Sequence, residues 1–206
     1  MDKPDWEGVK AYALARLKQE LPPELRYHSI RHTRDDVLPA VERLARLDGV
    51  GGEELQLLRT AVLYHDMGYM ERYTNNEPVG ARIARETLPD FGYSPAQIEA
   101  IARMIMATQI PQTPQNDLEA LMCDADLDSL GRDDFLETSH NLYAELVARG
   151  ASITLKAWYQ QQLDFLSNHT YFTEISRKLR DAGKQKNIRR LKTLLKAIDT
   201  QSCQDS

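Results

Sequence analysis

The chain has 206 residues, of which 42% are hydrophobic and 28% are charged, and its formal net charge is −5. This composition is ordinary for a globular protein, and the length suffices for one well-buried core. No apolar run approaches the ~18–20 residues of a membrane span. The first residues are polar and lack the apolar segment of a signal peptide, and Cys123 and Cys203 show no metal-type spacing. We therefore expect a reduced, cytoplasmic protein that makes no contact with a membrane.

The sequence predicts helices almost throughout. Apolar residues recur at spacings of three and four in every segment, and no strand-like alternation of useful length is present. Pro39 lies inside the second helix and predicts a kink or a short break. Ser94 and Gln97 form a capping-box pattern. The predicted helices cover about 9–21, 29–47, 55–65, 77–88, 95–106, 118–131, 135–148, 155–166 and 172–198. The economical interpretation is one all-α domain, residues 1–206, of roughly eight to ten helices.

The last predicted helix carries most of the positive charge. Between Arg177 and Lys196 there are nine lysines and arginines and one aspartate, so this segment carries +8 and the rest of the chain −13. We favour a solvated helix face. A patch for an anionic partner is the alternative, but no aromatic residue lies among the charges, so nucleic acid is not the expected partner.

A histidine and an aspartate stand side by side at His65-Asp66, at the end of an apolar run. Imidazole nitrogen and carboxylate oxygen together suit a divalent metal ion. Adjacent helix residues point about 100° apart, so both side chains can reach one ion only near a helix end or a local distortion. Gly68, two residues further on, is expected to supply that helix end.

Other candidate ligands lie on either side of this doublet. His28 and His32 have the i,i+4 spacing at which two histidines can share a helical face, although such a pair alone carries modest weight. Asp126 lies on the apolar side of a helix, where an unpaired carboxylate is costly and calls for a cation or strong donors. Asp128, next to the helix end, is better explained by a cap or a salt bridge.

Taken together, His32, His65-Asp66 and Asp126 resemble the H…HD…D pattern of the HD-domain superfamily of metal-dependent phosphohydrolases. The resemblance extends over residues 27–148, and the helices at about 154–199 are expected to pack on that core. It implies an HD-type helical bundle in which these four residues bind a metal. Since no histidine lies between His65 and Asp126, we expect one divalent ion, of Mn, Fe, Ni, Co, Zn or Mg, rather than two.

The resemblance also implies an activity. We expect hydrolysis of a phosphate ester of a small metabolite, possibly a nucleotide, by a water molecule that the metal activates. The candidate catalytic carboxylates are those of Asp66, Glu71 and Glu77. The candidates for binding the substrate are Arg31, Tyr69, Arg72 and Arg132.

Two other functions remain open. A regulatory module could use the metal centre to bind a ligand without turnover. An oxygenase-type HD protein uses a di-iron centre, and the lack of further histidines counts against it. The basic C-terminal helix could pack on a second subunit in a homodimer or close over the site, and the sequence does not decide between the two.

Overall fold

The computed structural model describes residues 3–204, with side chains to residue 200. Across this range the protein is all-α, with nine α-helices and no strand, which confirms the predicted fold class and helix number. Contacts divide the chain into two compact units, 1–127 and 128–206. An HD-type core and the packing of the C-terminal helices on it stay predictions. None of the helices in the described part of the chain is both long and apolar enough to cross a membrane.

The first unit contains six α-helices arranged around the third. Helix α3 contacts the other five, and every residue from Thr60 to His65 is buried. The C-terminal half of α3 is therefore buried on all sides and shielded from water, whereas its first residues are exposed. The helices are α1 (Trp6–Glu20), α2 (Leu38–Asp48), α3 (Gly52–His65), α4 (Glu77–Thr87), α5 (Pro95–Ala107) and α6 (Asp117–Asp126).

A π-helical segment, His32–Val37, leads directly into α2. The amide of Leu38 donates to the carbonyl oxygen of Thr33. This bond spans five residues, whereas an α-helical hydrogen bond spans four. Pro39 has no amide hydrogen to donate, so the regular ladder of hydrogen bonds could not have been continuous here. The irregularity that Pro39 predicts therefore takes the form of a π-helical turn, a feature common at functional sites.

Helix α6 is shorter than its sequence predicts. It ends at Asp126, and a 3₁₀ turn, Asp128–Gly131, follows instead of a further α-helical turn. The predicted end near Gly131 is therefore wrong. The side chain of Asp126 consequently projects from the last residue of a helix.

The second unit consists of this 3₁₀ turn and three α-helices: α7 (Phe135–Ala148), α8 (Leu155–Asn168) and α9 (Glu174–Gln204). Helix α9 packs against both α8 and the 3₁₀ turn. Two of its cations, Arg180 and Lys184, contact Asp128 and the carbonyl oxygen of His169, and Lys184 is only 4% exposed. The basic helix is thus not solely a solvated face, since some of its charges hold the unit together.

Candidate metal centre

The four residues of the H…HD…D pattern come together where three helical segments of the first unit end or begin. His32 opens the π-helical segment, His65 is the last residue of α3, and Asp126 is the last residue of α6. Asp66 follows His65 with φ −96° and ψ 1°, outside regular helix geometry. This break in the helix allows two adjacent side chains to reach the same point.

The ligand atoms lie at short, similar separations. Nε2 of His32 is 3.2 Å from Oδ1 of Asp126 and 3.7 Å from Oδ2 of Asp66. Nε2 of His65 is 3.3 Å from Oδ1 of Asp66 and 3.4 Å from Oδ1 of Asp126. Atoms about 2.1 Å from a shared ion would be about 3.0–3.5 Å apart for octahedral or tetrahedral angles. Three of the four separations fall in this range, and the fourth, 3.7 Å between His32 and Asp66, is slightly longer. The group His32, His65 and Asp66, with Asp126 beside it, could therefore hold a metal ion.

Hydrogen bonding fixes the orientation of His65. Its Nδ1 lies 2.7 Å from the carbonyl oxygen of Val62, and because a carbonyl can only accept, Nδ1 carries the hydrogen. Nε2 of His65 and Oδ2 of Asp66 are buried and have no hydrogen-bond partner among the described residues. A histidine whose far nitrogen donates to a carbonyl is a common arrangement at metal sites, because it aims the other nitrogen at the ion.

The charges at this point are strongly coupled. Burial disfavours the charged imidazolium of His65, but the carboxylates of Asp66 and Asp126 outweigh it and raise the pKa of His65 to about 9. Burial likewise favours the neutral carboxyl of Asp126, yet the imidazoles of His32 and His65 lower its pKa below the usual range. The carboxylates thus create a place where positive charge, as a proton or a metal ion, is stabilised.

This coupling predicts how the stability of the metal-free protein depends on pH. The pKa of His65 is about 9 when folded against 6.5 for the free side chain, so folding tightens proton binding. The resulting stabilisation is fully present below pH 6.5 and is lost as the pH rises through about 9. We expect the free energy of unfolding of chelator-treated protein to fall by up to about 3 kcal/mol over this interval, measured by urea denaturation. His65→Asn should show a much smaller fall, and an equal fall in both proteins would contradict the assignment.

Two glycines permit the close backbone packing that positions the doublet. A Cβ atom on Gly68 would lie 1.9 Å from the carbonyl oxygen of Asn76, and one on Gly80 would lie 2.7 Å from that of Tyr64. Gly68 was expected to end α3, but α3 ends at His65 and Gly68 lies within a 3₁₀ turn, Met67–Met70. Its role is therefore steric, since it lets the start of α4 approach the His65-Asp66 doublet.

Glu77 and Tyr69, two other residues singled out in the sequence, lie near the ligands. Glu77 opens α4, and its atom Oε2 is buried with no hydrogen-bond partner. Burial, and then the charges of Asp66 and Asp126, raise the pKa of the Glu77 carboxyl. Burial and the same two charges raise the pKa of the Tyr69 phenol, whose oxygen lies 3.0 Å from Nε2 of His28.

The remaining candidates lie at the surface or in the other unit. Glu71 is exposed and accepts a hydrogen bond of 2.6 Å from Arg82. Arg31 and Arg72 are exposed. Arg132 belongs to the second unit, where its guanidinium binds the carboxylate of Asp134.

Several neighbours of the site were not found from the sequence. The ring of Tyr27 lies 4.7 Å from that of His32, and the rings of His28 and Tyr69 stack with centroids 4.1 Å apart. Tyr73 lies against Tyr69 at 5.4 Å. The sequence suggested that His28 and His32 could bind a metal as a pair. In the structure the imidazole of His28 instead contacts the phenol of Tyr69. The carbonyl of Val62 is a backbone group and leaves no signal in the sequence.

Comparisons of this chain with protein-family models, with curated proteins and with solved structures find no match. The function must accordingly be argued from the geometry and charge of the site.

Proposed function

We propose that the protein is an HD-type phosphohydrolase that uses one divalent metal ion to hydrolyse a phosphate ester of a small metabolite, with nucleotides as the first substrates to test. The proposal is supported chiefly by two buried atoms that have no hydrogen-bond partner, Nε2 of His65 and Oδ2 of Asp66. Both lie beside His32 and Asp126. Buried polar atoms without partners are uncommon in proteins, and those of a metal site are satisfied by the ion.

His32, His65, Asp66 and Asp126 would hold the ion. Two neutral imidazoles and two carboxylates carry a charge of −2, which balances a divalent cation. An ion held there would supply Lewis acidity to activate a water molecule and to polarise the phosphoryl group. Four protein ligands would leave room on it for water or a phosphoryl oxygen, and for both if six groups were bound.

Within the chain, Glu77 is best placed to move a proton. Its half-buried carboxyl has a raised pKa, and its Oε2 atom makes no hydrogen bond that would compete with a reacting group. A carboxyl whose pKa is raised toward neutrality can accept a proton from water or donate one to the leaving oxygen. Glu71 would first have to leave Arg82, so it is a weaker candidate for the same role.

Phosphate esters also require positive charge beside the transferring group. Arg31 directly precedes the ligand His32 in the chain, and Arg72 closely follows the doublet. Both side chains are exposed and long enough to change rotamer when a substrate binds. We propose them as the residues that bind the phosphate, with Tyr69 lining the same side.

Glu77→Gln is expected to lower kcat by about 10²-fold, because the amide cannot exchange a proton with the reacting groups. Metal affinity should stay within about twofold of wild type, since Glu77 is not among the ligands. Steady-state kinetics and a metal titration measure the two effects. Glu86→Gln, which removes an exposed carboxylate from the same helix, is the matched control. A Glu77→Gln enzyme with unchanged kcat would exclude Glu77 as the acid or base.

A screen of nucleotides and general phosphatase substrates with Mn, Co, Ni, Mg and Zn tests the proposed activity. The expected result is hydrolysis that requires an added metal ion and is lost with chelator. Metal binding without turnover of any phosphate compound would instead favour the regulatory module.

A further inference from the structure

The π-helical segment His32–Val37 changes which side chains of this part of the chain face the interior. His32 and Val37 are both buried, and they lie five residues apart. Thr33 and Leu38 form a second buried pair with the same spacing. Buried positions on one face of an α-helix recur every three or four residues, whereas a spacing of five is that of a π-helical turn. The turn thus holds one residue more than an α-helical turn and rotates the residues before it relative to α2.

A continuous α-helix would point the same residues in other directions. At about 100° per residue, Arg34 would share the buried face with Leu38 and Val41, which follow it by four and seven residues. His32 would lie about 180° around the helix from Val41, on the outer side. In the structure the Arg34 side chain is instead 47% exposed and pairs with Asp35, while His32 is only 5% exposed. The π-helical turn therefore brings His32 to the inner face.

Pro39 disfavours the α-helical alternative. In a continuous helix its ring would collide with the carbonyl group of Asp35, and it has no amide hydrogen to donate there. The π-helical turn avoids this arrangement, because the hydrogen bond just before Pro39 runs from the amide of Leu38 to the carbonyl oxygen of Thr33. Pro39 is itself exposed, so its replacement leaves no cavity in the core.

We propose that Pro39 is a positioning residue for the metal ligand His32 and acts by imposing the π-helical turn. Nε2 of His32 lies 3.2 Å from Oδ1 of Asp126 and 3.7 Å from Oδ2 of Asp66, so turning the ring outward would separate it from the other ligands. The segment contacts α3 and α6 of the same unit, whose last residues are both proposed ligands. The inference rests on the proposed metal centre and gives an exposed residue that is not a ligand a function in it.

Two variants and a control test this role. Pro39→Ala removes the ring and restores an amide hydrogen, so a continuous α-helix becomes possible. The second variant combines Pro39→Ala with deletion of Asp35, an exposed residue of the turn. With one residue fewer, a continuous α-helix places His32 four positions before Val37 and returns it to the inner face. Pro95→Ala is the matched control, because Pro95 is exposed in the first turn of α5, where an amide hydrogen has no partner within the helix.

The measurement is a titration of each metal-free protein with Co(II), whose visible absorption bands report the coordination of the bound ion. Circular dichroism checks that each protein is folded. We expect Pro39→Ala to bind Co(II) about tenfold or more weakly and with altered bands at saturation, because one ligand is turned away. The deletion variant should regain an affinity within about threefold of wild type, and Pro95→Ala should match wild type.

Wild-type affinity and bands in Pro39→Ala would overturn the inference. A folded deletion variant that binds as weakly as Pro39→Ala would also overturn it, because the loss would then not come from the direction of His32. If the deletion variant does not fold, the comparison of Pro39→Ala with Pro95→Ala decides. A wild-type protein that binds no Co(II) would instead contradict the metal centre itself.

Discussion

Replacing Asp126 with asparagine is expected to abolish metal binding and to reduce hydrolysis of phosphate esters by at least about 10³-fold, or about 4 kcal/mol of activation free energy. Oδ1 of Asp126 lies within 3.4 Å of both imidazole nitrogens, so this single oxygen contacts both histidines. Asparagine keeps the shape but halves the negative charge of the site, and its amide oxygen is a weaker ligand.

The control for this variant is Asp117→Asn, in the exposed first turn of the same helix. It should retain metal content and activity. Circular dichroism should show that both variants remain folded. Undiminished metal content in Asp126→Asn would mean that Asp126 is not a ligand.

Gly68→Ala is expected to lower the free energy of unfolding by about 3 kcal/mol and to weaken metal binding. The added methyl group would overlap the carbonyl oxygen of Asn76, a backbone atom that cannot turn aside as a side chain could. The start of α4, with Glu77, or the doublet itself must then move. Thermal or urea denaturation gives the stability, and a metal titration of the refolded protein gives the affinity.

Gly51→Ala provides the matching control. A Cβ atom at Gly51 would meet nothing within 4 Å, and its φ of −149° is accessible to alanine. We expect its stability to change by less than about 1 kcal/mol. Equal losses in the two variants would show that the Gly68 effect is not steric.

Local features of the fold could be predicted because their causes lie within a few residues. The capping box of Ser94 and Gln97 forms as its spacing indicates, and α7 spans 135–148 as predicted. The pattern of apolar residues likewise predicts the third helix, and His65 ends it as the sequence indicates. The four proposed ligands could be named for a different reason, since their residue types and order resemble a known pattern.

Features that depend on distant contacts could not be predicted. The local sequence predicts that Gly68 ends a helix. Its steric role depends on the backbone of Asn76, which packs against it. The basic segment resembled a solvated face because nothing local links Arg180 to Asp128, 52 residues away in the chain. The Val62 carbonyl that orients His65 is a backbone group, which every residue has.

We propose that His32, His65, Asp66 and Asp126 hold one divalent ion. The most direct measurement is the metal content of wild-type and Asp126→Asn protein after dialysis against an equimolar mixture of Mn, Fe, Co, Ni and Zn. We predict one ion per chain in the wild type and none in the variant. A wild-type protein without metal, or equal metal content in both, would contradict the account.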